Sequence, residues 1–120
     1  MKIEIHHVQV CVPRNSEDEA RAFYCGVMGL KEIEKPAESK EHGGLWAQLG
    51  DLQLHIGLED GMDRSKTRAH IAYQVEDLAE WKNRFEAANL TILKKRSLSN
   101  YIRFDVRDPF GNCLEFMQLV

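Results

Sequence analysis

The sequence predicts an α+β fold made of two copies of one module, each with the order strand, helix, strand, strand, strand. Apolar patterns follow one another in this order over about residues 1–60 and again over about residues 68–120. Each copy holds a single helical pattern, and a polar stretch, EDGMDRSKTR, separates the two copies. Because one helix covers one face of a four-stranded sheet, we expect the two bare faces to curve around a shared cleft in a single domain, residues 1–120.

The first copy opens with IEIHHVQVCV, residues 3–12, whose alternation predicts a half-buried strand. A helix follows, because Ser16 and Glu19 have the spacing of a capping box and Gly29 is a typical stop. Three short strands are then predicted, at about residues 30–35, 44–49 and 52–58, with Gly50 and Asp51 as the turn between the last two.

The second copy repeats this plan. AHIAYQV, residues 69–75, predicts a strand, and residues 77–89 predict a helix capped by Asp77 with Glu80. TILKK, YIRFDV and NCLEFMQLV predict three strands, with DPFG as the final turn. The aromatic residues at helical spacing are interpreted as core: Phe23, Tyr24, Trp81 and Phe85.

Composition excludes several classes of function. A net charge of −3 and a pI near 5.9 argue against a nucleic-acid-binding or membrane-surface protein, since either would present a basic face. No apolar run approaches the roughly 20 residues that span a bilayer. The cysteines, Cys11, Cys25 and Cys113, are odd in number and form no C-x-x-C pair. They predict reduced thiols in a cytoplasmic protein, without a disulfide framework or a cysteine zinc site.

Sorting each strand into odd and even positions selects candidate metal ligands. Val8, Val10 and Val12 must face the helix, so His7 faces the cleft whereas His6 shares the valine side. Three further strands each send one such side chain to the cleft face, namely His55, His70 and Glu115. A lone histidine on an open face is usually just solvated, but one ligand type per strand at matching places in both copies is not expected by chance. Three imidazoles and one carboxylate suit zinc, nickel, iron, cobalt or manganese and leave a position open for substrate.

The stretches IHHVQVCVP, EARAFYCGVMGL, LQLHIGLE, RAHIAYQVEDL and RFDVRDPFGNCLEFMQ resemble the vicinal oxygen chelate superfamily, which includes glyoxalases, bleomycin- and fosfomycin-resistance proteins and extradiol dioxygenases. The resemblance implies paired βαβββ modules around a metal site whose ligands fall on His7, His55, His70 and Glu115. It also implies chelation of two adjacent substrate oxygens by the metal, and a homodimer.

The sequence departs from the glyoxalase pattern at His55, where that family typically has glutamate or glutamine. His55 could be a ligand, a general base, or a neighbour of the site. Glyoxalases use a carboxylate of this shell as the base, and Glu115 is the one carboxylate here. A fosfomycin-type enzyme would use His7, His70 and Glu115, but no cationic cluster beyond Arg103 is evident. Extradiol dioxygenases share that triad and are usually longer, whereas bleomycin-type binding proteins normally lack the ligands.

Four further residues are candidates for substrate binding. Tyr101 and Arg103 should face the cleft from YIRFDV, where Arg103 either binds a substrate anion or pairs with Asp105 or a neighbouring glutamate. Trp46 and Gln48 share a strand face, and Trp46 either lines the pocket or packs under a loop. The sequence therefore predicts a metal-dependent lyase, isomerase or dioxygenase acting on a small oxygenated molecule. The alternative is a non-catalytic small-molecule-binding protein on the same fold.

Overall fold

The structure, a computed structural model, describes residues 1–120 and contains eight β-strands and two α-helices. Their bounds in chain order are β1 His7–Val12, α1 Glu17–Arg21, β2 Lys31–Ile33, β3 Leu45–Leu49, β4 Leu52–Leu58, β5 His70–Gln74, α2 Leu78–Ala87, β6 Leu93–Lys94, β7 Tyr101–Arg107 and β8 Cys113–Leu119. A π-helical segment, Ala22–Val27, continues α1, and 3₁₀ turns occupy Ala37–His42 and Arg64–Lys66. The chain divides into two compact units, Met1–Met62 and Asp63–Val120.

Each unit contains one four-stranded mixed sheet, and the two sheets have the same topology. The strand order is β1-β4-β3-β2 in the first unit and β5-β8-β7-β6 in the second. In both, the first strand runs parallel to the fourth, and the remaining pairings are antiparallel. The predicted α+β class and its two βαβββ modules are therefore confirmed.

The core of each unit lies between its sheet and its helix. In the first unit Phe23 and Tyr24 are buried, as is Leu54 of β4. In the second, Phe85 of α2 is buried and packs edge-on against Phe116 of β8 at a centroid distance of 5.0 Å. These aromatic residues are core, as their spacing predicts, and Trp81 is half-buried against the same Phe116. One face of each sheet is thus covered by apolar packing. The candidate ligands occupy the alternate positions of the same strands, which face the other side.

Several predicted boundaries are wrong. The first strand begins at His7 and not at residue 3. Its partner β4 begins at Leu52, and the first paired residues are His7 and Gln53. Before it, the His6 carbonyl still accepts a hydrogen bond of 3.3 Å from the Gln53 N–H, but Ile3 is 93% exposed. The strand predicted at 30–35 spans only Lys31–Ile33.

The two helix starts differ from each other. Asp77 caps α2 as predicted, and its side chain accepts a hydrogen bond of 3.2 Å from the backbone N–H of Glu80. Ser16 stands at the N-cap of α1, but its side chain makes no capping hydrogen bond, so the capping box predicted there is wrong. No helix in the structure combines the length and apolar character needed to cross a membrane.

Candidate functional site

In the second unit the topology brings His70 and Glu115 together. They lie on the parallel neighbours β5 and β8, where His70 is in register with Cys113 and Ala72 with Glu115. Since alternate residues share a face, His70 and Glu115 are diagonal neighbours on one side of the sheet. His70 Nε2 lies 3.0 Å from Glu115 Oε1. Alternation along the strands predicts that both residues lie on this face, but it does not predict their contact.

The hydrogen bonds of His70 decide what can lie between the two side chains. Its Nδ1 is 2.9 Å from the carbonyl oxygen of Arg68, which can only accept, so Nδ1 carries a proton. In the neutral imidazole, Nε2 then presents a lone pair to the Glu115 carboxylate. Two lone pairs repel, so this contact needs a cation on that side, either a second proton on the imidazole or a metal ion. An imidazole nitrogen beside a carboxylate oxygen is a donor pair that could hold a divalent metal.

The second oxygen of Glu115 is held by two cations. Arg103 Nη1 donates to Oε2 at 3.0 Å, and Lys95 Nζ lies 3.7 Å from the same atom. Glu115 is only 5% exposed, and this burial alone would raise its pKa. The hydrogen bond from Arg103 and the charges of Lys95, Arg103 and His70 outweigh burial, so the pKa lies below its ordinary value. Glu115 is therefore an ionised carboxylate with Oε1 directed to His70.

The first unit repeats the arrangement with His7 and His55. His7 is in register with Gln53 and Gln9 with His55, so the second residue of the pair stands two positions beyond the register partner of the first, as in the second unit. The two imidazoles stack, with centroids 3.9 Å apart and planes inclined by 13°. Both modules thus place a histidine of the first strand diagonally beside a ligand-type residue of the fourth strand.

His55 is fixed on both ring faces and at one nitrogen. Trp46 stacks on the face opposite to His7, at a centroid distance of 3.8 Å and an inclination of 4°. His55 Nε2 lies 3.0 Å from Gln53 Oε1, an acceptor, so Nε2 carries the proton and Nδ1 the lone pair. Burial, followed by the charges of His7, His6 and Lys35, lowers the pKa of His55 to about 4. His55 is a neutral imidazole at pH 7.

His6 precedes β1 and is exposed, and its Nδ1 lies 2.9 Å from His7 Nδ1. His6 therefore lies outside β1, whose alternation does not assign it to a face. No cluster of three or more His, Cys, Asp or Glu side chains that could hold a metal occurs in the structure; the candidates form two pairs.

The predicted substrate residues have different surroundings. Trp46 lines a cleft of the first unit beside His55. Gln48 donates to the carbonyl oxygens of Gly50 and Leu52 at 2.6 and 3.0 Å. The Tyr101 hydroxyl lies 3.5 Å from Gln74 Oε1.

Arg103 donates to Glu115 and also to the Arg96 carbonyl. Of the two roles expected for Arg103, the structure therefore contains the pairing with a neighbouring glutamate. Two contributing residues were not predicted. Lys95 is marked only by the lysine pair at the end of a predicted strand, and Gln53 is the partner that sets the tautomer of His55. The thiols of Cys25 and Cys113 are protonated at neutral pH, because burial raises the pKa of both.

A family model described as the Glyoxalase/Bleomycin resistance protein/Dioxygenase superfamily matches residues 4–116. The chain belongs to this superfamily. Among solved superfamily structures, a Bacillus anthracis protein of the glyoxalase family is 40% identical, with a TM-score of 0.91 over 100% of this chain and 98% of that one. No match was found among functionally curated sequences.

Two more distant members share the fold. Lactoylglutathione lyase from Agrobacterium tumefaciens is 23% identical, with a TM-score of 0.72, covering 96% of this chain and 92% of that one. The fosfomycin resistance protein FosX from Listeria monocytogenes, complexed with Mn(II) and sulfate, is 17% identical, with a TM-score of 0.80, covering 100% and 93%. At these identities the likeness shows the superfamily fold and no particular activity.

Proposed function

We propose that this chain is a metal-dependent enzyme that acts on a small oxygenated molecule, as a glyoxalase-like lyase or isomerase or as a dioxygenase. The observation that carries the proposal is the contact between His70 Nε2 and Glu115 Oε1, at 3.0 Å, with the other imidazole nitrogen already donating to a carbonyl. Such a contact requires either a second proton on the imidazole or a metal ion, and an imidazole beside a carboxylate is a donor pair for divalent zinc, nickel, iron, cobalt or manganese.

The ligands in this proposal are His7, His55, His70 and Glu115. A bound metal would supply Lewis acidity towards two adjacent oxygens of the substrate. The chain itself fixes which atoms are available for ligation. The Arg68 carbonyl leaves Nε2 of His70 as the donor atom, and Gln53 leaves Nδ1 of His55 as the donor atom. Arg103 and Lys95 engage Oε2 of Glu115, so that Oε1 is the oxygen left for ligation.

Proton transfer and substrate binding complete the proposal. Glu115, ionised in the structure, is the carboxylate that would accept a proton from carbon, and His55 is the second candidate base. We propose Trp46, Gln48, Tyr101 and Arg103 as substrate-binding residues. Support is strongest for Trp46, whose indole lies flat on His55 and lines a cleft. We also propose that the protein is a cytoplasmic homodimer.

Elemental analysis of protein purified without an affinity tag or chelator tests the metal site. We expect about one transition metal per chain, and loss of at least 90% of it in His7→Ala, His70→Ala and Glu115→Ala. His6→Ala is the matched control and should keep its metal. Retention in His55→Ala alone would reduce the site to a triad of two histidines and one glutamate. No metal in the wild-type chain, and none after incubation with each candidate ion, would overturn the proposal.

A non-catalytic binding protein is the second candidate, and one observation favours it. Glu115 is paired with His70, Lys95 and Arg103, so its charge is balanced by the protein itself. Turnover separates the two candidates. Metal-loaded protein that converts hemithioacetals, epoxides or catechols is an enzyme, whereas saturable binding of such molecules without conversion indicates a binding protein.

A further inference from the structure

The first unit carries a cleft of about 420 Å³ whose charged side chains are all cationic. These side chains are Arg14 and Lys35. His42 also lies along the cleft, and Trp46 with His55 forms one wall. None of the residues that line the cleft is an aspartate or glutamate, although the chain as a whole has a net charge of −3. The expectation that Arg103 is the sole candidate for binding an anion is therefore incomplete, because these cations come from segments far apart in the sequence.

Lys35 is distinguished from the other lysines by its surroundings. It is half-buried and forms none of the ion pairs in the structure, and its ammonium donates to the carbonyl oxygen of Gly43. The other lysines without an ion pair, Lys31, Lys82 and Lys94, are exposed, and half-buried Lys95 is paired with two carboxylates. A carbonyl dipole offsets only part of the cost of removing a charge from water. Lys35 is thus a partly desolvated cation without an ion-pair partner, and an anionic ligand would stabilise it.

Two neighbours extend this feature into a site. The backbone N–H of Arg14 donates to Asp60 Oδ1 at 2.9 Å, and its Nε lies 3.7 Å from Oδ2, which ties Arg14 to the rim of the cleft. Lys35, Trp46 and His55 all line the same cleft. An anion beside Lys35 would therefore lie next to the proposed ligand His55 and the indole of Trp46.

We propose that this cleft binds the oxyanion group of the substrate, a carboxylate or a phosphate-type group, with Lys35 as its main partner and Arg14 as the second. The remainder of the substrate lies along Trp46 towards His55. The link to catalysis rests on the proposed function, whereas anion binding itself does not. The substrate class that follows is a small oxygenated molecule with one compact anionic end.

Fluorescence of Trp46 in metal-free protein tests the proposal, with Trp81→Phe removing the other tryptophan. Inorganic phosphate and acetate are titrated separately at pH 7 in EDTA, with ionic strength held constant by chloride. We expect saturable binding of at least one anion, weakened at least about tenfold by Lys35→Met and about threefold by Arg14→Gln. Lys40→Met is the matched control, because Lys40 is exposed and paired with Glu34, and its affinity should equal that of the parent.

Preference between the anions identifies the source of the charge. Binding of phosphate alone indicates a phosphate or phosphonate substrate, and comparable binding of acetate indicates a carboxylate. If Trp81→Phe does not fold, calorimetric titration of the unaltered chain provides the same binding constants. Lys35→Arg, unlike Lys35→Met, should keep the binding. No saturable binding, or equal affinities in Lys35→Met and Lys40→Met, would overturn the proposal. Since no metal is present, a failed metal site leaves this result intact, and the converse also holds.

Discussion

Arg103 Nη1 donates a hydrogen bond of 3.0 Å to Glu115 Oε2, whereas His70 contacts Oε1 of the same carboxylate. The two oxygens of one side chain therefore have separate partners. This division makes Arg103 a positioning residue for Glu115. The hydrogen bond from Arg103 also lowers the pKa of Glu115, which burial alone would raise.

Replacing Arg103 should change the ionisation of Glu115. Burial alone raises the pKa of Glu115, and the hydrogen bond from Arg103 is the largest of the effects that lower it. In Arg103→Met we expect the pKa of Glu115 to rise, as measured by NMR titration of its ¹³C-labelled carboxyl group in metal-free protein. Arg84→Met removes an arginine that stacks on Trp81 and should leave this pKa unchanged. An unchanged pKa in Arg103→Met would show that Lys95 and His70 suffice.

The neutral state of His55 predicts a pH dependence of stability. Its folded pKa, about 4, lies below the ordinary value of 6.5, so the unfolded chain binds more protons between these pH values. This contribution is fully present above pH 6.5 and is lost as the pH falls towards 4. Urea unfolding in EDTA should show a smaller free energy of unfolding at pH 5 than at pH 7.5, and His55→Gln should reduce that difference. Equal differences in both proteins would contradict the assignment to His55.

The two helix starts provide a matched test of capping. Asp77→Ala removes the acceptor of the Glu80 N–H and should lower the free energy of unfolding by about 1 kcal/mol. Ser16→Ala occupies the equivalent position of α1, where the side chain makes no capping bond, and should cost much less. Chemical denaturation measures both values. Similar costs would mean that Ser16 acts through a contact other than the cap.

Gly44 lies where β4 leaves no room for a side chain. Its φ is +79°, and a Cβ at this position would lie 2.1 Å from the carbonyl oxygen of Ile56, the residue after His55. We expect Gly44→Ala to cost several kcal/mol or to prevent folding, since strand backbone must move. Gly61 has a similar φ, +81°, with open space around it, so Gly61→Ala should cost only about 1–2 kcal/mol. Thermal unfolding measures the melting temperature of both variants. Equal melting temperatures would contradict this account.

Alternation along single strands was enough to select much of the candidate site. It separated Leu54 and Ile56, which are buried on one face, from His55 on the other, because backbone geometry forces this division. It could not give the partners of those side chains. The contact of Arg103 with Glu115 depends on the register of β7 with β8, and register is set between strands rather than within one.

Irregular segments were the least predictable. The apolar stripe after Ser16 predicts one helix, but the chain changes to π-helical geometry at Ala22, which depends on a few backbone hydrogen bonds and not on side-chain period. Lys35 is followed by a 3₁₀ turn, and its half-buried environment is created by the loop that contains Gly43. Such an environment has no periodic signal in the sequence.

The equal offset of His7 to His55 and of His70 to Glu115 has a consequence for how this scaffold can diversify. Each fourth strand carries a side chain at the same place in the ladder, beside the histidine of its first strand, and this side chain is an imidazole in one unit and a carboxylate in the other. A single substitution, His55→Glu, would place a carboxylate beside His7, as Glu115 stands beside His70. At the proposed metal site, such an exchange between imidazole and carboxylate would change the preference for softer or harder cations, while the strand pairing stays the same.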